Sequence, residues 1–96
     1  MKKLPASFKP IVEASVEYFG VNPITKTRRH RVVTARMIIT NYLMRNEGVS
    51  NAVVCDVFDI PHSLVIYYLN RHEDLMVSDD TYKNSYLNFK RFLFNP

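Results

Sequence analysis

Residues 48–72 read GVSNAVVCDVFDIPHSLVIYYLNRH, and their order predicts two short helices meeting at a tight corner. Ser50 suits the N-cap of the first, where its side-chain oxygen can accept one of the orphan N–H groups that open a helix. Val53, Val54, Val57 and Phe58 then recur at three- and four-residue spacing, giving that helix one apolar stripe. Asp59-Ile60-Pro61 breaks it, because the residue before a proline is pushed out of the α region. Pro61 fits the first position of a new helix, which needs no N–H, and the second helix runs from His62 to about His72. Helix, three- or four-residue corner, helix is the pattern of a helix-turn-helix, whose second member enters the major groove of DNA.

The rest of the composition suits a single packed domain. The chain has 96 residues, 47% of them apolar, and only two glycines, which argues against a disordered segment. Charges interrupt the apolar runs well before the ~18–20 residues that would span a bilayer. The Met-Lys-Lys start leads to Pro5 and not into the apolar stretch of a signal peptide. The one cysteine, Cys55, cannot form an internal disulfide and sits among valines, so a buried, reduced thiol and a cytoplasmic setting are expected. The net charge is +4, and its placement says more than its size. No acidic residue lies between Glu17 and Glu47, whereas Lys26, Arg28, Arg29, Arg31, Arg36 and Arg45 all do. A one-signed field of that kind attracts polyanions.

Working outward, residues 7–19 predict a first helix with Phe8, Val12, Val16 and Phe19 on one stripe. Pro10 falls within its opening turn, and Gly20 where a left-handed C-terminal cap belongs. The densest basic cluster, residues 27–31, leads into a long helix reaching Asn46. It is apolar nearly all round and so is expected to be the most buried. Gly48 is expected to close it. After the corner unit, residues 73–77 are either a connector or a continuation of the second helix. Ser78 is the expected cap of a last helix, with Asp79 and Asp80 in its first turn favouring the macrodipole. Tyr82, Tyr86, Phe89 and Leu93 form that helix's stripe. The expected fold class is therefore all-α: about five helices in one domain, residues 1–6 frayed, and no sheet.

Metal and catalytic chemistry find little footing. His62 and His72 lie ten positions apart on one predicted helix, about 15 Å at ~1.5 Å per residue, and His30 sits in a basic loop that repels cations. No Ser or Cys has a base placed by a motif. No enzyme activity, metal or cofactor is expected.

Four features stand in one order: a helix ending EYFGV, the cluster TRRHRVVTAR, the helix RMIITNYLMRN and the pair VSNAVVCDVFDIPHSLVIYYLNRHEDL. Together, over residues 11–75, they resemble the C-terminal DNA-binding domain of the bacterial replication initiator DnaA. The helical array is also similar in kind to Trp-repressor-like architecture. The resemblance implies that Arg28, Arg29 and Arg31, with Lys26 before them, form a basic loop that lays an arginine in the minor groove. Such an arginine senses groove width and A·T character. Arg36 falls on an arginine that contacts DNA in that family. His62 and Ser63 match the His and first Thr of the family's Asp-His-Thr-Thr-Val signature, and Tyr67 falls where a second His is frequent.

The departures concern specificity. Pro61 replaces the signature's Asp, an acceptor for a cytosine amino group. Leu64 replaces the second Thr and Met37 the usual Gln after Arg36, and the corner is about a residue shorter. The chain carries no Gly-rich phosphate loop with a Lys-Ser/Thr pair. Two registers of the second helix compete. One buries Leu64, Val65, Tyr68 and Leu69 and presents Ser63, Ile66, Tyr67 and Asn70. The other, implied by the resemblance, buries Val65, Ile66, Leu69 and His72 and presents Ser63, Leu64, Tyr67 and Arg71. The second is expected, since it hides Ile66, turns Arg71 outward and lets Leu64 touch a thymine methyl.

The expected partner is double-stranded DNA, read by a monomer, with a replication or transcription protein as a further partner and a homodimer through the last helix as a variant. The alternative function is a protein-interaction module that kept this fold and lost the groove chemistry.

Overall fold

The computed structural model describes residues 8–25 and 27–94. The frayed start expected over residues 1–6, and Lys26, lie outside the described residues. Five α-helices and no strand occur among them: α1 Lys9–Phe19, α2 His30–Asn46, α3 Asn51–Phe58, α4 His62–Ser78 and α5 Asp80–Phe94. The all-α expectation holds. No single helix is long and apolar enough to cross a membrane among the described residues.

α2 is the core around which the others pack, as its all-round apolarity predicts. Ten of its residues are buried, from Val32 and Ala35 through Leu43. It packs most extensively on α4, while α1 and α5 close over its other flank. The closure is aromatic: Tyr18 and Phe19 of α1 meet Phe89 of α5 at centroid separations of 5.7 and 5.2 Å, and Tyr18 also meets Phe92 at 5.3 Å. Rings at such distances, tilted or edge-on, add to the gain from burial alone. The expected α1 stripe holds at Phe8, Val12 and Phe19 and fails at Val16. Ser15 is buried where Val16 is exposed, and its hydroxyl tolerates that burial by donating to the Val12 carbonyl.

Helix ends follow local chemistry. Gly20 (φ 72°) returns its N–H to the Val16 carbonyl and closes α1. Gly48 (φ 66°) turns the chain after α2, so that Val49 N–H reaches back to the Leu43 carbonyl. Ser50 Oγ accepts the Val53 N–H, capping α3 as its sequence predicts. Asp59 then takes a left-handed conformation (φ 54°), and both its own and the Ile60 N–H return to the Cys55 carbonyl. Pro61 is the N-cap residue of α4, one position earlier than expected, with its carbonyl accepting from Leu64 and Val65. Cys55 is half-buried and its thiol donates to Asn51 Oδ1.

At the far end one of two open readings is decided and one expectation is corrected. α4 continues unbroken past His72 to Ser78, so residues 73–77 are helix and not connector. The cap of α5 is Asp79, whose Oδ1 accepts the Tyr82 N–H; Ser78 instead donates to the Asp74 carbonyl and ends α4. The α5 stripe is covered: Tyr82, Tyr86 and Phe89 are at most 5% exposed.

Candidate nucleic-acid interface

The chain bends by 106° between α3 and α4 across three residues, within the ~90–120° range of a helix-turn-helix. Which face α4 presents is settled by α2. Tyr68 is 2% exposed; its hydroxyl accepts from Arg36 Nη1 (3.3 Å) and its carbonyl from Asn41 Nδ2 (3.1 Å). One turn along, Arg45 donates through Nε to Asn41 Oδ1 and through Nη2 to the Leu69 carbonyl and to Glu73 Oε1. These partners fix the rotation of α4 about its axis. Val65, Tyr68 and His72 point inward, Leu64 and Leu69 pack partly against the core, and Ser63, Ile66, Tyr67, Asn70 and Arg71 face solvent.

The observed register is thus close to the first of the two competing registers, not the one expected. Ile66 is 52% exposed instead of hidden, and Leu64 packs against the core instead of standing on the reading face. His62, Ser63, Tyr67 and Arg71 are exposed as expected.

The basic arm divides into two kinds of arginine. Arg28, Arg29 and Arg31 are exposed at the start of α2. The arm is shaped locally: Arg29 N–H donates to Thr27 Oγ1, and the Arg29 carbonyl accepts from Val33 in the first turn. Arg31 Nη2 lies 3.3 Å from the Phe19 carbonyl, where a cation suits the C-terminal end of α1. Arg36, expected at the DNA surface, is only 7% exposed. Its Nε donates to the Pro23 carbonyl, its Nη2 to the Thr25 carbonyl and its Nη1 to Tyr68. A guanidinium so engaged has little left for a phosphate. Its placement makes it the tie between the α1–α2 loop, which leads into the arm, and α4. That loop has its own support, with Asn22 Oδ1 accepting the Ile24 N–H and Pro23 fully buried.

The start of α2, α4 and the start of α5 border a shared groove of about 350 Å³, which His30 reaches and its neighbours Arg28, Arg29 and Arg31 do not line. Its sides carry His30 from the start of α2 and Tyr67 and Arg71 from α4; Val33, Met37 and Leu75 are among its apolar lining. Asp79 stands on the rim beside Tyr82. Behind the groove lies a buried titratable pair: His72 Nδ1 and the Tyr82 hydroxyl share a 2.6 Å hydrogen bond, and the Tyr86 ring meets the imidazole edge-on at 4.5 Å. Burial, helped by Arg45 and opposed by Glu73, pulls the His72 pKa down to about 4. Burial pushes the Tyr82 hydroxyl well above its ordinary value, so both groups are neutral across the usual pH range. Among the described residues no three His, Cys, Asp or Glu side chains gather as a metal ion would need.

Sequence reasoning left out two residues on the presented face in its preferred register, Ile66 and Asn70. The signal for them was the competing register, in which they share a stripe with Ser63 and Tyr67. The chain is thus an all-α protein of five helices among the described residues, with a bent helix pair beside a basic arm. No protein-family model, curated protein or solved structure matches it.

Proposed function

We propose that this chain binds double-stranded DNA, with the N-terminal half of α4 in the major groove and an arginine from residues 28–31 on the adjacent minor groove. The observation that carries this is the common groove: His30, flanked by Arg28, Arg29 and Arg31, borders it from one side and Tyr67 and Arg71 from the other. Phosphate contacts position a protein on the duplex and base contacts specify the site. Arg28, Arg29 and Arg31 take the first task, and His62, Ser63 and Tyr67 the second, with Arg71 at the flank. The likeness to the DnaA C-terminal domain supports the same assignment, and a chain of this kind would act as a small regulator or competitor at initiator-type sites. No catalytic step is assigned.

The test is a mobility shift on duplex DNA across salt. Affinity is expected to fall steeply as salt rises, with several counterions released. Absence of any shift at low salt would instead favour the protein-interaction module. The homodimer through the last helix gains nothing from its aromatic stripe, since Tyr82, Tyr86 and Phe89 are already covered by this chain; sedimentation of the free protein is expected to give a monomer.

A further inference from the structure

Resting on that DNA-binding reading, we infer that the presented stripe of α4 reads A·T base pairs, with Ile66 packing on a thymine methyl and Asn70 pairing with an adjacent adenine. Ser63, Ile66, Tyr67 and Asn70 stand at i, i+3, i+4 and i+7 and are all exposed, so they form one line along the helix. At ~1.5 Å of rise per residue that line is about 10 Å long, roughly three base-pair steps of 3.4 Å.

Its chemistry excludes more than it includes. From Pro61 to Asn70 there is no Lys, Arg, Asp or Glu. None of Ser63, Ile66, Tyr67 and Asn70 is the forked cation that grips guanine O6 and N7, or the carboxylate that accepts from the cytosine amino group. The exposed forked cation of α4 is Arg71, one position beyond the stripe, where it borders the groove with His30. What it offers is an asparagine, whose amide matches adenine N6 and N7, and an apolar tip, which matches the thymine methyl. Seryl and tyrosyl hydroxyls serve any base.

The exposure of Ile66, at 52%, is enforced from elsewhere. Tyr68 and Leu69 are held inward by Arg36, Asn41 and Arg45, and with them fixed Ile66 is carried outward. Leu64, the residue first expected to meet a thymine, packs against the core instead. The arm adds an independent bias of the same sign, since narrow A·T minor grooves attract arginine.

The experiment compares the binding of the full chain to poly(dA-dT), poly(dA-dU) and poly(dG-dC) duplexes, by fluorescence anisotropy at one salt concentration. Uracil differs from thymine only by the missing methyl. The wild-type protein is expected to prefer poly(dA-dT) over poly(dG-dC), and over poly(dA-dU) by about fourfold, the equivalent of one buried methyl. Ile66→Ala, at an exposed helical site, is expected to keep its helicity by circular dichroism and to bind poly(dA-dT) and poly(dA-dU) equally. Asn70→Ala is expected to lose about tenfold on poly(dA-dT) while keeping the thymine preference. Equal binding of the wild type to all three polymers overturns this inference and leaves DNA binding standing, as does a thymine preference that survives Ile66→Ala. Absence of binding to every polymer at low salt overturns both.

Discussion

Arginines only five to eight residues apart have opposite fates. Arg28, Arg29 and Arg31 stand in solvent at the mouth of α2, whereas Arg36 is 7% exposed and engaged by two loop carbonyls and a tyrosine. In the sequence they form one cationic run. In the molecule, the outer group supplies a field and the inner one supplies geometry. Counting positive residues therefore overstates the charge exposed on the surface, and the inner arginine instead holds the loop that leads to the outer ones.

The largest break in that comparison is expected from Arg36→Met. It leaves the Pro23 and Thr25 carbonyls without their charged donor, and stability should fall by about 2–4 kcal/mol, as hydrogen bonds to a buried charge are lost. Urea denaturation checks this; a loss under about 0.5 kcal/mol, the range of ordinary surface substitutions, would mean that the loop is not held there.

The same inner layer holds His72, whose folded-state pKa of about 4 lies below its ordinary 6.5. Between those values the unfolded chain binds the extra proton, so the contribution of the neutral imidazole is complete above pH 6.5 and is lost as the pH falls towards 4. The total is on the order of 3 kcal/mol. Thermal denaturation from pH 7 to pH 4 should show the loss, and His72→Phe should flatten that part of the profile. A wild-type curve no steeper than the variant's would contradict it.

Thr40 sharpens the comparison from the opposite side. It is fully buried and its hydroxyl has no partner. Thr40→Val keeps the shape and removes the unsatisfied group, so a gain of about 1 kcal/mol is expected, read as a rise in melting temperature.

The smallest effect on stability should come from the outer group. Arg29→Ala is expected to stay within about 0.5 kcal/mol of the wild type. If the arm binds phosphates, the same change weakens binding at every sequence and lowers the salt slope by about one unit. A variant with an unchanged slope would remove Arg29 from the interface.

Much of the fold was legible along the chain because its causes are local. Gly20 and Gly48 sit where a left-handed residue must end a helix, Ser50 caps α3, and Pro61 breaks one helix and opens the next. The all-round apolarity of α2 announced its burial. Less of the site could be read. The choice between the two registers of α4 turned on hiding Ile66, a sound rule for a helix considered alone. It failed because the deciding contacts come from Asn41 and Arg36, 27 and 32 residues before Tyr68.

The sequence by itself determined an all-helical chain, its sharp corner at residues 59–61 and a basic arm free of acidic residues, since turn chemistry, helical period and charge are properties of neighbouring residues. Only the tertiary structure decided which arginines are available and which side chains α4 presents. Those outcomes depend on hydrogen bonds between helices, whose donors and acceptors meet only once the chain has packed.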